Sequence, residues 1–261
     1  MLFYEISKLL SFDVWDTLII DDSDEIYRKE NALPSKKQER EDLYIGAYEN
    51  GGEFSVDSII NAISLMQKEF ENQWKIHHQT PGIRWRLNHI EKTLGKIQKK
   101  PFILEESIKS RLIINLEEME LKYPIQIMPG VKDFLDDWHR EFPKIKLGIV
   151  SDAIYSPGRS IRVILERLDL LKYFSYFAFS DEVGASKPSQ KIFKYLSEHS
   201  QTKAAEIVHI GDRFSNDIEG PMDFGSKGVL CQVNKPGSKS FDNVPCFQNY
   251  QELLNILKEF V

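Results

Sequence analysis

Apolar residues along the chain follow two rhythms. Lys8-Leu9-Leu10-Ser11-Phe12-Asp13-Val14 reads as a short buried strand running into Trp15-Asp16-Thr17-Leu18. Residues 21–55 lose that character: they are rich in charge and contain Pro34, Gly51 and Gly52, which predicts loops and a short helix. Over 56–77, Val56, Ile59, Ile60, Ile63, Met66, Phe70 and Trp74 recur at steps of three and four, the spacing of an amphipathic helix, with Ser55 placed to cap it. A second helical stretch covers 84–97, before Pro101. A third covers 104–121, before Pro124, with Leu104, Ile108, Leu112 and Leu116 on one stripe. Residues 21–124 therefore read as all-helical.

Beyond Pro129, helix and strand alternate. Helices are predicted over 131–142, 159–170, 188–199 and 251–260, and strands over 146–151, 174–179, 207–212 and 228–233. Such alternation predicts an α/β fold: a Rossmann-like parallel sheet core with helices on both faces. The expected domains are a core of 1–20 and 125–261, and an inserted helical domain of 21–124.

Composition narrows the classes. The chain has 261 residues, 41% hydrophobic and 28% charged, enough apolar surface for a core. Its net charge of −6 disfavours nucleic-acid or anionic-membrane partners. No apolar run reaches the ~18 residues a membrane span needs. The N-terminus lacks a basic n-region, and Glu5 and Lys8 interrupt any apolar stretch, so no export signal is read there. Cys231 and Cys246 form neither a disulfide framework nor a zinc pattern. A cytoplasmic protein is expected, with oligomeric state left open.

In an open parallel sheet, ligands bind at the carboxyl ends of the strands. Asp13, Ser151 and Asp212 fall at such ends; Asp217 follows five residues after Asp212, and Lys187 precedes a proline-started helix. Carboxylates are costly to bury unless paired or metal-bound. Asp13, Asp212 and Asp217 would repel one another, and Mg²⁺, which takes hard oxygen ligands, is the expected neutraliser.

Four motifs in order, Phe12-Asp13-Val14-Trp15-Asp16-Thr17-Leu18, Ile149-Val150-Ser151, Ser186-Lys187-Pro188 and Gly211-Asp212-Arg213-Phe214-Ser215-Asn216-Asp217, resemble those of the haloacid dehalogenase superfamily. The insert lies between the first two, where that family's C1-type helical cap lies. The resemblance implies a Mg²⁺-dependent phosphohydrolase acting on a small phosphorylated metabolite. Asp13 would be the nucleophile, forming an aspartyl-phosphate. Asp13, the backbone carbonyl of Trp15 and Asp212 would ligate Mg²⁺, with Asp217 a further ligand or an anchor. Ser151 would bond a phosphoryl oxygen, and Lys187 would offset charge in the transition state. Asp152, next to Ser151, is a candidate to bind the phosphate or hold the site, the alternative being a plain loop residue.

One departure changes the chemistry. The family's phosphatase motif, Asp-x-Asp-Gly-Thr, carries a second Asp that protonates the leaving oxygen; here Trp15 stands there, and Asp16 holds the glycine position. The alternatives are a phosphatase without that acid, Asp16 acting as the acid, a metal-free haloacid dehalogenase, or a catalytically weak binding protein with this fold. In the insert, Arg84 and Arg86 are candidates to grip an anionic substrate. His209 reads as a strand filler rather than a base.

Overall fold

The computed structural model describes residues 8–52, 54–235, 241 and 243–260. Residues 1–7, part of the stretch read as lacking an export signal, lie outside them. The chain divides into two compact units, one within Met1–Asp21, Ile125–Asp152 and Arg162–Val261, the other Asp22–Pro124 with Ala153–Ile161. The helices are α1 (Ser23–Glu30), α2 (Lys36–Gly51), α3 (Val56–Lys75), α4 (Ile83–Gln98), α5 (Glu106–Glu117), α6 (Val131–Glu141), α7 (Gly158–Arg167), α8 (Ser180–Val183), α9 (Gln190–Ser200), α10 (Gly220–Phe224) and α11 (Tyr250–Lys258). No described helix is long and apolar enough to cross a membrane.

The first unit is built on one sheet of β1 (Leu9–Phe12), β2 (Lys146–Ser151), β3 (Tyr176–Phe179), β4 (Ile207–Gly211), β5 (Lys227–Cys231) and β6 (Cys246–Phe247). All pairs are parallel and the order is β3-β2-β1-β4-β5-β6. The strands are short and almost entirely buried, as parallel strands covered on both faces must be. Alternation along β1 sends Leu9 into a core with Ile192, Phe193 and Leu196 of α9. Phe12 meets Phe134 of α6 edge-on at 6.1 Å and Phe174 at 6.0 Å. The strand order reverses direction at β1, which opens a crevice at the carboxyl ends of β1 and β4.

The second unit is helical. Its core gathers Tyr44 and Tyr48 of α2, Ile59, Met66 and Phe70 of α3, Leu87, Ile90 and Leu94 of α4, and Leu112 and Leu116 of α5. Ser55 caps α3 by accepting a hydrogen bond from the Ser58 amide. The 16-residue α2 replaces the loops expected over part of 21–55. Only Lys36, Tyr44 and Tyr48 are buried on it, so no apolar stripe announces it. Residues 153–161, which the pattern assigned to the α/β core, also belong to this unit. They are held by Arg86, which donates to the Ile154 carbonyl, and by Tyr155, whose hydroxyl donates to Gln67 at 3.0 Å. The strand β6 is two residues long, too short to leave a pattern.

Candidate active site

The site stands at the carboxyl ends of β1, β2 and β4. Asp13 follows β1 directly, and its amide donates to the Ile210 carbonyl of β4 at 2.8 Å, which fixes the chain as it leaves the sheet. Asp13 is 1% exposed. Its Oδ1 lies 2.9 Å from Lys187 Nζ in an ion pair, and its Oδ2 accepts no hydrogen bond. Ser151 ends β2, fully buried, with an Oγ that has no partner. Buried polar atoms are rarely left so. An unbonded carboxylate oxygen and an unbonded hydroxyl at adjacent strand ends are groups poised for a ligand.

Lys187 is locked from several sides. Its Nζ donates to Asp217 Oδ1 at 2.6 Å, and its amide donates to Asp152 Oδ1 at 2.9 Å. Burial alone would lower the Lys187 pKa; the carboxylates of Asp13, Asp217 and Asp152 outweigh it and raise it. The ammonium is therefore held charged beside the nucleophile candidate.

Asp217 sits inside a buried relay that the sequence pattern does not assemble. His209 Nε2 lies 3.1 Å from Asp217 Oδ1, and its Nδ1 lies 2.9 Å from Ser11 Oγ. Burial pushes the His209 pKa down, which keeps the ring neutral. Nε2–H then donates to the Asp217 carboxylate and Nδ1 accepts from the Ser11 hydroxyl, a tautomer inferred from the partners. Ser11 and His209 are register partners on neighbouring strands, so the β1–β4 pairing itself sets this contact. The Arg213 amide donates to Asp217 Oδ2 at 2.9 Å. Burial alone would raise the Asp217 pKa; Lys187 and His209 overcome it and hold the carboxyl well below the usual range. Gly211 makes room, since a Cβ there would lie 2.3 Å from Asp217 Cγ.

Asp13, Asp212 and Asp217 each place an oxygen within 4.8 Å of the others. Burial, with the nearby Asp13 charge, pushes the Asp212 pKa up to about 6. Lys235 Nζ, 2.9 Å from Asp212 Oδ2, offsets part of that. Crowded carboxylates, one with an unbonded oxygen and one resisting ionisation, are a donor set that fits a hard divalent cation. The Arg213 guanidinium stands 3.9 Å from Asp13 Oδ2 and 3.8 Å from Asp152 Oδ2. Sequence places Arg213 next to the metal-site motif but does not say whether it faces the site or outward.

Three further candidate residues have their own partners or are buried. Asp152 Oδ1 accepts from the Lys187 amide and Oδ2 from Asn216 Nδ2 at 3.3 Å, which ties together the loops that carry those residues. Arg84 is exposed and pairs with Glu106 at 2.7 Å. Arg86 is fully buried within the helical unit. Trp15 stands in the tight turn after Asp13, where Asp16 adopts a left-handed φ of 54°. Asp16 Oδ1 accepts from the Asp21 amide at 3.3 Å and from Asn234 Nδ2 at 2.8 Å, so it braces the turn.

A family profile of haloacid dehalogenase-like hydrolases matches residues 8–225, and the chain belongs to that family. The pyrimidine 5'-nucleotidase YjjG of Escherichia coli is 35% identical over 90 residues, 34% of this chain and 38% of that protein. A phosphorylated carbohydrates phosphatase of Thermotoga maritima is 30% identical over 134 residues, 50% of this chain and 59% of that one. The chain thus spans well under two thirds of either relative. The crystal structure of a 2-haloacid dehalogenase from Pseudomonas syringae superposes with a TM-score of 0.66 at 21% identity, covering 98% of this chain and 100% of that one, a likeness of fold.

Proposed function

We propose that the protein is a Mg²⁺-dependent phosphatase of small phosphorylated metabolites, acting through an aspartyl-phosphate on Asp13. The observation that carries this reading is the buried Asp13 carboxylate, with one oxygen unbonded, beside charged Lys187 and within a three-carboxylate cluster. Mg²⁺ would be held by Asp13, the Trp15 carbonyl and Asp212, with Asp217 as a further ligand or as their anchor. Bound there, it would supply positive charge toward a phosphoryl group.

An Asp13 carboxylate oxygen attacks phosphorus, forming an acyl phosphate as the bond to the leaving oxygen breaks. Lys187 and the Ser151 hydroxyl stabilise the charge that gathers on the phosphoryl oxygens. Water then cleaves the acyl phosphate, releasing inorganic phosphate and restoring the carboxylate. Asp217, positioned by His209 and the Arg213 amide, holds Lys187 in place.

Trp15 cannot protonate the leaving oxygen, a role worth about 10²–10⁴-fold. The reading therefore favours acyl or anhydride phosphates, whose leaving groups need little protonation. The three-carboxylate cluster argues against a metal-free dehalogenase, which has no use for it. The helical unit would act as a cap selecting the substrate, and the free thiols Cys231 and Cys246 fit a reducing cytoplasm.

The test is a panel of phosphate esters, acyl phosphates and 2-haloacids, each assayed with Mg²⁺ and with EDTA. Phosphate release that needs Mg²⁺ and disappears in Asp13→Asn is expected. Halide release that ignores EDTA would overturn the reading.

A further inference from the structure

We propose that the helical unit carries an oxyanion pocket of its own, in which Arg40 and Tyr44 receive a carboxylate or phosphate group of a small-molecule ligand, and the buried Arg86 guanidinium, which shares the Tyr155 ring with Arg40, adds positive charge. The pocket is a cavity of about 690 Å³ whose walls include Arg40, Tyr44, Ser64, Gln67 and Tyr155. That volume falls in the range that holds metabolite-sized molecules, roughly 300–1,000 Å³.

Several buried hydrogen-bond donors of this unit have no acceptor. Arg40 and Tyr44 lie four residues apart on α2 and so share a face. Arg40 Nε and the Tyr44 hydroxyl are buried and meet no partner. Tyr44 as a whole is only 2% exposed, and burial drives its ionisation above the usual range, so it stays a donor. Arg86, on α4, is fully buried; one nitrogen donates to the Ile154 carbonyl, while Nε and Nη1 meet no acceptor. The two guanidiniums converge on one ring: Arg40 Cζ is 3.5 Å and Arg86 Cζ 4.0 Å from the centroid of Tyr155. Arg86 also lies 3.7 Å from the Phe70 ring centroid.

An arginine does not shed its proton when buried. Burying a charge without a countercharge is costly, and two cations around one ring add repulsion. Ring faces offset only part of this. Among the described residues, neither guanidinium pairs with a carboxylate. Of the acidic residues on the cavity wall, Glu71 pairs with Lys75 at 3.1 Å, leaving Glu41 against Lys37, Lys68 and Arg40. The missing partner is a planar or tetrahedral oxyanion, which matches the fork of a guanidinium.

This pocket does not depend on the hydrolytic reading of the α/β unit, and its test avoids catalysis. The protein carrying Ser151→Ala, kept in EDTA so that without a metal the Asp13 carboxylate repels anions from the strand-end site, is titrated calorimetrically with inorganic phosphate and separately with malonate. Saturable binding of at least one is expected, and which one identifies the source of the oxyanion. Adding Arg40→Gln or Tyr44→Phe should weaken that binding roughly ten- to hundredfold, as loss of a charge-assisted or buried donor does. Tyr44→Phe removes only an oxygen, so it keeps the test alive if Arg40→Gln fails to fold. No binding of either anion at millimolar concentration, or binding unchanged by Tyr44→Phe, overturns the proposal.

Discussion

Lys187 and Arg86 are both cations sealed from solvent, 1% and 0% exposed, and their surroundings are opposites. Lys187, in the α/β unit, has carboxylates at 2.6 and 2.9 Å, and those carboxylates raise its pKa. Arg86, in the helical unit, has a carbonyl and two rings, and burial pulls its pKa down. Around Lys187 the fold supplies the countercharge; around Arg86 it does not, although the same helical unit pairs its buried Arg28 with Asp24 and Glu39. For Lys187 the fold already balances the cation and leaves an Asp13 oxygen open to a ligand, whereas at Arg86 the cation itself is the charge that something from outside completes.

The largest effect should come from breaking the closed cluster. Lys187→Met leaves Asp13 and Asp217 buried without their shared cation, and removing one partner of a buried pair costs about 3–5 kcal/mol. Urea unfolding in EDTA measures this, and a loss below about 1 kcal/mol would mean the cluster is not closed. Gly211→Ala should follow. Its methyl cannot sit 2.3 Å from Asp217 Cγ, so Asp217 must shift and release His209 and the Arg213 amide. A stability loss of about 1–3 kcal/mol is expected, the range for overpacking a tight core. The His209 ring resonances, read by NMR, should move with it; an unmoved ring would show that the strand yields instead.

The same contrast explains what could be read from sequence. Asp13, Ser151 and Asp212 are legible because each ends an apolar run, and a parallel sheet gathers its strand ends. Lys187 and Asp217 need the family's motif order, since neither closes a strand. The neighbour of Asp152 in sequence is Ser151, whereas its partners are Lys187 and Asn216, brought in from elsewhere by the fold, so sequence alone does not say what it holds. The Ser11–His209 contact follows from strand register, which sequence alone does not set. In the helical unit, α3 is clear from its stripe, while α2 is hidden because it buries two tyrosines and a lysine rather than aliphatics. Arg86 stands out as a candidate, but Tyr155, which stacks on it, is about 70 positions away in sequence and falls by pattern in the other unit.

A smaller effect tests the cluster through pH. The Asp212 carboxyl titrates at about 6 in the folded chain, against 3.8 for the ordinary group. Between those values the folded state keeps a proton that the unfolded chain has lost, so in the metal-free protein this group's contribution to stability falls as pH rises through that window. A divalent cation must displace the same proton. Its affinity should therefore fall as pH drops below about 6, approaching about tenfold per pH unit. Calorimetry with Mg²⁺ at about pH 7.5 and about pH 5 checks the sign. Equal affinities would remove Asp212 from the donor set.

The smallest expected effect falls on Arg86, and it is the sharpest test of the comparison. Arg86→Met removes an unpaired buried charge and keeps the apolar stem between Phe70 and Tyr155. The variant loses the bond to the Ile154 carbonyl, worth about 1.5–3 kcal/mol for a charged donor, and is relieved of desolvating a guanidinium, which costs at least as much. Apolar replacement of buried charge is often neutral or stabilising. Without added anion, the change in unfolding free energy should therefore lie within about 1 kcal/mol of zero, against about 3–5 kcal/mol for Lys187→Met. With saturating oxyanion the two proteins should separate, because only the wild type gains the full free energy of binding. If Arg86→Met is as damaging as Lys187→Met without any anion, the guanidinium is already balanced by the fold, and the two buried cations do not differ in the way their geometry indicates.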